Sequence, residues 1–241
     1  MRTLWIELRK ERRTGAIPAL PAVGALGGLY ALVNFLLRGD ALLALPMDPM
    51  DVLLTQLYGM LVVLDLFGVV TAACIIWGME FRGNAARKLY ALPVSVPGVY
   101  LCKFLILTVL LLAAVGLQEL ALAGIGLTVL PAGTFDLGEL LRFAAYAFLT
   151  SMPVLSFMLL AASRSENMWV PLGVGVAGFL SGMALASAEL AALRLHPFVL
   201  MLTPAVAMSA RPDPGTAALA AAETALFLAV GLYLAKHRRY E

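Results

Sequence analysis

Three acidic residues lie deep inside apolar stretches of the sequence, where an ionised group is costly. Asp65, Glu119 and Glu223 have mostly apolar neighbours, and no Lys or Arg stands at a comparable depth of the same stretch. Acids in such positions usually face the interior of a membrane protein. In one interpretation they are neutral and bonded to polar neighbours, namely Gln118, Gln56 or Thr224. In the other they line a path for a cationic substrate.

A second group of candidate residues lies in the longest polar interruption, WGMEFRGNAARKLYALPVSVPGVYLCK, at residues 77–103. Asn84 is a favourable N-cap for a short helix at residues 85–92, and Pro93 ends that helix. The helix presents two cations beside a leucine and an aromatic ring, a composition typical of protein contacts. These residues are Arg87, Lys88, Leu89 and Tyr90. The alternative is a solvated loop that only carries positive charge.

Glu80 precedes this loop at the edge of an apolar stretch. Its carboxylate is placed to pair with Arg82, with Arg87 or with the cationic N-terminal segment. Glu80 and Arg82 therefore belong with the loop as candidates for contact with a partner.

The elements that position these residues follow from the composition. Of the 241 residues, 62% are hydrophobic and 13% are charged, about half the charged share of a soluble domain. Since a spanning helix needs about 20 apolar residues, the sequence predicts an all-α membrane protein with six such helices. The six apolar runs cover residues 16–37, 52–79, 104–130, 141–162, 168–187 and 216–235.

The cations predict how these helices are oriented. With both termini in the cytoplasm, thirteen of the 17 Lys and Arg residues fall on the cytoplasmic side and four on the outer side. Lys and Arg near short loops favour the cytoplasm, so this orientation is the predicted one. The polar loop, taken as residues 80–98, then lies in the cytoplasm. The four outer cations are Arg38, Arg142, Arg194 and Arg211.

Two segments are expected to cross the membrane only partly or not at all. Residues 1–14 place Leu4, Trp5 and Leu8 on one helical face among cations, which predicts an amphipathic helix in the headgroup layer. The alternative is a simple cytoplasmic anchor. Residues 188–212 hold an apolar stretch that is short and broken by prolines, which predicts an outer re-entrant helical pair. Residues 15–241 form the predicted six-span domain.

Metal chemistry and covalent chemistry are not indicated. Cys74 and Cys102 are far apart in the sequence and fit apolar fillers better than a metal motif or a disulfide. His196 has no second histidine nearby, so a structural role is favoured over a metal ligand or a pH sensor. The sequence has no G-x-x-x-x-G-K-[ST] stretch, so we do not expect it to bind ATP through a P-loop.

The polar loop resembles that of a known family. Glu80, then Gly83, a turn ending in Leu-Pro-Val-Ser at residues 92–95, and Lys103 at the start of the third span are similar to the cytoplasmic loop of type-2 ABC exporter permeases. The layout is also similar, since that family has an amphipathic N-terminal helix, six spans, a coupling helix and a broken outer helical pair. The short length and an N-terminus similar to E-L-x-K-x-x-R resemble permeases for lantibiotic immunity and amphipathic peptide export. The residues of this pattern are Glu7, Leu8, Lys10 and Arg12 or Arg13.

The resemblance implies a transport subunit that carries no catalytic site or cofactor of its own. ATP and Mg would be bound by a separate ABC ATPase subunit, present in two copies. The helix at residues 85–92 would sit in a cleft of that ATPase, with Glu80, Arg82, Gly83 and Asn84 beside it. Rocking of the spans would then follow closure of the ATPase.

The resemblance also implies a second copy of the chain. Two pairs of glycines, Gly24 with Gly28 and Gly178 with Gly182, have the spacing that permits close helix contact. They fall in the first and fifth spans, which this family uses at its dimer seam. The alternative is that these glycines pack within one chain or face nothing.

The substrate implied is an amphipathic peptide, such as an antimicrobial peptide or a toxin, exported across the cytoplasmic membrane of a bacterium by a multi-pass protein. The lipid bilayer is the other expected partner, and no nucleic acid is expected. Three alternatives stay open: a permease for small hydrophobic drugs or lipids, an ion-coupled transporter with the three buried acids as a relay, and a structural membrane protein. An intramembrane enzyme is disfavoured, because its usual motifs are missing.

Overall fold

The computed structural model describes residues 2–11, 15–81, 95–186, 191–207 and 210–237. Within these ranges the chain is helical apart from short connections, which confirms the predicted all-α class. The helices are α1 (Arg2–Glu11), α2 (Ala16–Leu43), α3 (Pro49–Phe81), α4 (Val96–Thr128), α5 (Leu137–Arg164), α6 (Trp169–Leu185), α7 (Pro197–Val206) and α8 (Pro214–His237). A short 3-10 segment, Ala191–Leu195, precedes α7.

Five of these helices are long and apolar enough to cross a membrane, namely α2, α3, α4, α5 and α8. The predicted fifth span corresponds to α6, which has 17 residues. At 1.5 Å per residue α6 is about 25 Å long, short of the roughly 30 Å hydrocarbon layer. The predicted count of six spans is therefore not confirmed among the described residues.

Helix α3 lies at the centre of the bundle and packs against α2, α4, α5, α6 and α7. Asp48 caps its first turn by accepting a hydrogen bond of 2.9 Å from the backbone N–H of Met50. A π-helical segment, Val52–Gln56, follows at once. Because α3 is surrounded by helices, a polar side chain on it faces protein more often than lipid.

Three helix ends meet at one end of the bundle. Glu80 in the last turn of α3 lies 2.9 Å from Lys103 in the first turns of α4, so these two helices run antiparallel. Helix α1 also ends here, and Gly15 joins it to α2 with φ 80°, a conformation that favours glycine. Helix α3 therefore ends, and α4 begins, at the end of the bundle where α1 lies.

Both predicted glycine pairs contact other helices of the same chain. A Cβ on Gly24 would lie 2.5 Å from the backbone of Ala114 on α4, and one on Gly28 would lie 3.2 Å from the Cβ of Ala121. Gly178 and Gly182 on α6 are both covered by the ring or the Cβ of Phe198 on α7. These close approaches are packing within one chain, and a seam with a second copy at the first and fifth spans stays a prediction.

Helix α7 is short and buried. Its residues Phe198, Leu200, Met201 and Leu202 are at most 2% exposed, and the helix packs against α5, α6 and α3. The described part of residues 188–212 holds this one α-helix after the 3-10 segment, so the predicted re-entrant pair is not confirmed. The ring of His196 lies just before α7, with its Nε2 3.2 Å from the hydroxyl oxygen of Ser181.

Candidate functional site

The most concentrated set of charges in the described chain surrounds Lys103. Its side chain is fully buried, and its Nζ lies 2.9 Å from Glu11 Oε1, 2.9 Å from Glu80 Oε1 and 3.2 Å from Glu7 Oε2. Nζ also donates a hydrogen bond of 3.0 Å to the backbone oxygen of Ile76. We call the residues Glu7, Lys10, Glu11, Glu80 and Lys103 the Lys103 cluster.

Three helices supply the cluster. Glu7 and Glu11 stand four residues apart on α1, so both carboxylates project from one face of that helix. Helix α3 contributes Glu80 one residue before its end, and Lys103 comes from α4. The cluster therefore fastens α1 to the ends of two spanning helices.

Helix α1 binds the bundle through its acidic face rather than through its apolar one. Glu7 and Glu11 are buried, whereas Trp5, Ile6 and Leu8 are 62%, 57% and 39% exposed. The guanidinium of Arg9 lies 5.1 Å from the centre of the Trp5 ring on the exposed side. Of the predicted apolar face, Trp5 and Leu8 are exposed while Leu4 packs against the core, and the placement of α1 in the headgroup layer stays a prediction.

The charges of the cluster are nearly balanced. Three carboxylates lie beside two ammonium groups. The second ammonium belongs to Lys10, which is partly exposed on α1 and donates a hydrogen bond to Glu80. The ring of Trp77 adds a weaker contact, with its centre 5.6 Å from Lys103 Nζ. Burial without such partners would cost several kcal/mol per ion, so the members of the cluster hold one another in place.

The three carboxylates are also close enough together to hold a metal ion. One oxygen of each of Glu7, Glu11 and Glu80 lies within 4.8 Å of the others. The Lys103 ammonium stands among these oxygens and already supplies a positive charge. A divalent cation would have to displace Lys103, so the geometry suits an ion-pair network better than a metal centre.

The acids predicted to lie in a path are only partly brought together. Gln118 on α4 donates a hydrogen bond of 2.8 Å to Asp65 on α3, the bond that the structural interpretation predicts. Glu119 follows Gln118 and is near enough to Asp65 to interact with it electrostatically. Glu223 lies on α8, and Thr224 beside it donates to the backbone oxygen of Ala220 instead.

The position of Gln118 depends on a glycine that the sequence reading did not single out. A Cβ on Gly27 of α2 would lie 2.7 Å from Gln118 Nε2 and 3.1 Å from its Cγ. The absence of a side chain at Gly27 thus leaves room for the amide that reaches Asp65. Three helices, α2, α3 and α4, meet at this buried polar contact.

Most of the predicted partner-contact residues lie outside the described part of the chain. Only Glu80 of that set is described, and it faces Lys103 and Lys10. The others lie within residues 82–94, namely Arg82, Gly83, Asn84, Arg87, Lys88, Leu89 and Tyr90. Of the partners considered for Glu80, the N-terminal helix is therefore the one found among the described residues.

The sequence reading did not identify the Lys103 cluster as a site. Lys103 entered only as part of a loop motif and as a cytoplasmic cation, and Glu11 was not considered. The available signal was the pair of acids four residues apart in an otherwise basic helix, together with a lysine inside an apolar run.

Comparison with known proteins gives one match. A family model described as ABC-2 family transporter protein matches residues 3–182. The matched range includes every member of the Lys103 cluster as well as Asp65 and Glu119. No curated protein and no solved structure matches the chain.

Proposed function

Because the chain belongs to the ABC-2 family of transporter proteins and is a multi-pass permease subunit of an ABC transporter, we propose that it works as an ATP-driven exporter. A separate ABC ATPase supplies the free energy and binds ATP and Mg. Two copies of that ATPase act with two copies of this chain in the cytoplasmic membrane of a bacterium. The exported molecule is an amphipathic, cationic peptide.

The Lys103 cluster is the observation that carries the proposal. It joins α1, α3 and α4 at one end of the bundle. A force applied to residues 82–94 would enter α3 at Phe81, one residue after Glu80, and α4 at Val96, seven residues before Lys103. Since the two helices and α1 are bound through buried charges, they move as one body rather than separately.

The proposed contact with the ATPase is the segment predicted as a helix at residues 85–92. Arg87 and Lys88 supply the cations of this contact, while Leu89 and Tyr90 supply the apolar and aromatic part. Closure of the two ATPase subunits on ATP pushes both segments inward. The body formed by α1, α3 and α4 then rocks relative to the rest of the bundle.

The proposed substrate class rests on the buried acids. Asp65 is 2% exposed, and Glu119 lies near it, so two carboxyl groups stand together in an apolar surrounding. Such groups favour a substrate that carries cations along with apolar surface. An amphipathic cationic peptide has both.

The proposal is tested by co-expression and co-purification with a candidate ABC ATPase subunit, followed by reconstitution in proteoliposomes. The ATPase rate is measured with and without a cationic amphipathic peptide. The combined change Arg87→Glu and Lys88→Glu should abolish stimulation of the ATPase while membrane insertion stays normal.

Arg142→Glu is the matched control, because Arg142 lies in α5 in an exposed ion pair, 3.6 Å from Asp136. Exposed pairs contribute about 0–1 kcal/mol, so this change should leave stimulation intact. Failure to co-purify, or full stimulation in the doubly reversed variant, would count against the proposed coupling.

A further inference from the structure

An apolar groove runs between α4 and α5 on the outside of the bundle, with a volume of about 950 Å³. That volume is within the roughly 300–1,000 Å³ of small-molecule sites. Leu120, Leu137 and Leu141 line it and are 70%, 54% and 58% exposed, so the groove is open to the surroundings of the chain. Both helices are candidate spans, so the groove faces the membrane.

One charged residue, Glu119, is found among the described residues that line this groove. Its Oε2 is buried and has no hydrogen-bond partner in the described part of the chain. A buried polar atom without a partner is uncommon and costs about 1–3 kcal/mol. The groove therefore combines a long apolar surface with a single unsatisfied acceptor.

Lipid tails do not satisfy this acceptor. Glu119 lies nine residues before Thr128, the last residue of α4, or about 14 Å at 1.5 Å per residue. That depth is about half of the roughly 30 Å hydrocarbon layer, where acyl chains offer no N–H or O–H. Phospholipid headgroups, which carry such donors, stay at the interface.

The charge around Glu119 favours a cationic donor. Asp65 interacts electrostatically with Glu119, and its carboxyl group adds negative charge on the side of the bundle. Gln118 does not compensate, because its amide donates to Asp65. No described residue that lines the groove brings a positive donor to Glu119.

We propose that the groove binds an amphiphile from within the membrane, with an aliphatic chain along α4 and α5 and an amine that donates to Glu119. This site rests on the proposed function and makes it more specific. The exported molecule would enter the protein sideways from the lipid, between α4 and α5, and would have to carry an alkyl amine. The occupant is the amine-bearing apolar part of the amphipathic peptide, and an alkyl amine represents it in the test.

The test uses the full chain in nanodiscs of phosphatidylcholine, whose headgroup has no N–H. The probe is dodecylamine with a photoreactive diazirine in its chain, and matched probes carry a hydroxyl or a carboxylate in place of the amine. Cross-linked residues are identified by mass spectrometry as the concentration is raised. We expect saturable labelling of Leu117, Leu141 or Ala145 by the amine, and weaker labelling by the other two probes.

Two variants separate the polar contact from the apolar one. Glu119→Gln should lower the apparent affinity for the amine probe by about tenfold or more, so that the amine no longer labels more strongly than the alcohol. Gly116→Leu should lower the apparent affinity for the amine and the alcohol probes equally. Gly116 lines the groove and a Cβ there meets nothing within 4 Å, so a leucine side chain would occupy the groove. Glu166→Gln is the control and should leave labelling unchanged, since Glu166 is exposed in the connection between α5 and α6 and does not line the groove.

Several results would overturn the site. Non-saturable labelling, or equal labelling by the three probes, would mean that the groove takes only acyl chains. Cross-links between two copies through Leu120 or Leu141 would show that a second copy covers it. The labelling assay needs no ATPase. If the probes label the groove as expected but no ATPase co-purifies with the chain, the proposed function is refuted and the site is not. Peptide-stimulated ATPase activity without saturable labelling refutes the site alone.

Discussion

Replacement of Lys103 by Met tests most directly whether buried charge fastens α1 to the bundle. Methionine keeps much of the apolar volume but removes the ammonium that lies 2.9–3.2 Å from three carboxylates. Breaking a buried ion pair by removing one partner costs about 3–5 kcal/mol. When α1 dissociates from the bundle, water can hydrate the unpaired carboxylates of Glu7 and Glu11. We therefore expect the lost ion pairs to increase the population in which α1 is detached from the bundle.

The expected magnitude follows from that cost. A loss of about 3–5 kcal/mol corresponds to a roughly hundredfold to few-thousandfold rise in the undocked population. Hydrogen-exchange mass spectrometry of the chain in nanodiscs measures it through the amides of α1. Lys236→Met serves as the control, because Lys236 is exposed on α8 and its loss should leave α1 protected.

A second substitution makes the argument sharper. If the damage comes from uncompensated carboxylates, adding Glu11→Gln to Lys103→Met should restore part of the protection of α1, although each change alone is harmful. Unchanged α1 exchange in Lys103→Met, or further loss in the double variant, would refute the electrostatic explanation.

Three other outcomes are expected. Gly27→Ala should displace the Gln118 amide from Asp65 and lower the free energy of unfolding by about 1–3 kcal/mol. Gly116→Ala is the comparison, because a Cβ there meets nothing within 4 Å, and it should be neutral or slightly stabilising. Both are measured by thermal unfolding in detergent, and equal melting temperatures would contradict the role of Gly27. Burial lowers the pKa of His196, so protonation favours the less folded state: stability should be full above the ordinary histidine pKa of about 6.5 and fall as the pH drops below it. His196→Gln should flatten that pH dependence of the melting temperature, and an unaltered profile would exclude His196 as its source. Asp213 precedes α8 and accepts hydrogen bonds from the Thr216 hydroxyl at 2.6 Å, from Thr216 N at 3.1 Å and from Gly215 N at 3.2 Å. These bonds lower the pKa of Asp213. Asp213→Ala should therefore lower the free energy of unfolding by about 1 kcal/mol, measured in the same way, while Asp213→Asn should cost less.

The spanning helices were largely predictable because lipid leaves the backbone no other partner. Five of the six predicted runs lie within long helices, and the helix at the N-terminus is present as Arg2–Glu11. A run of apolar residues therefore identifies a helix reliably. Length was misjudged for the fifth run, since hydropathy continues to residue 187 whereas α6 has 17 residues.

Contacts between distant residues were not predictable from pattern alone. Lys103 reads as one more cytoplasmic cation, yet it is fully buried among acids, one of them 92 residues away in the sequence. The glycine pairs have a spacing common to all close helix contacts, and only the fold shows that Ala114, Ala121 and Phe198 are what they approach. The spacing of two glycines therefore shows that another helix can approach closely, but it does not show which helix does so.

The link between α1 and Lys103 has a consequence for biosynthesis. Glu11 leaves the ribosome long before Lys103 does, because 92 positions separate them. During this interval α1 has no ammonium to receive its two acids, so they must stay hydrated at the membrane surface. Helix α1, although translated before α4, thus reaches its final position only once α4 has been inserted.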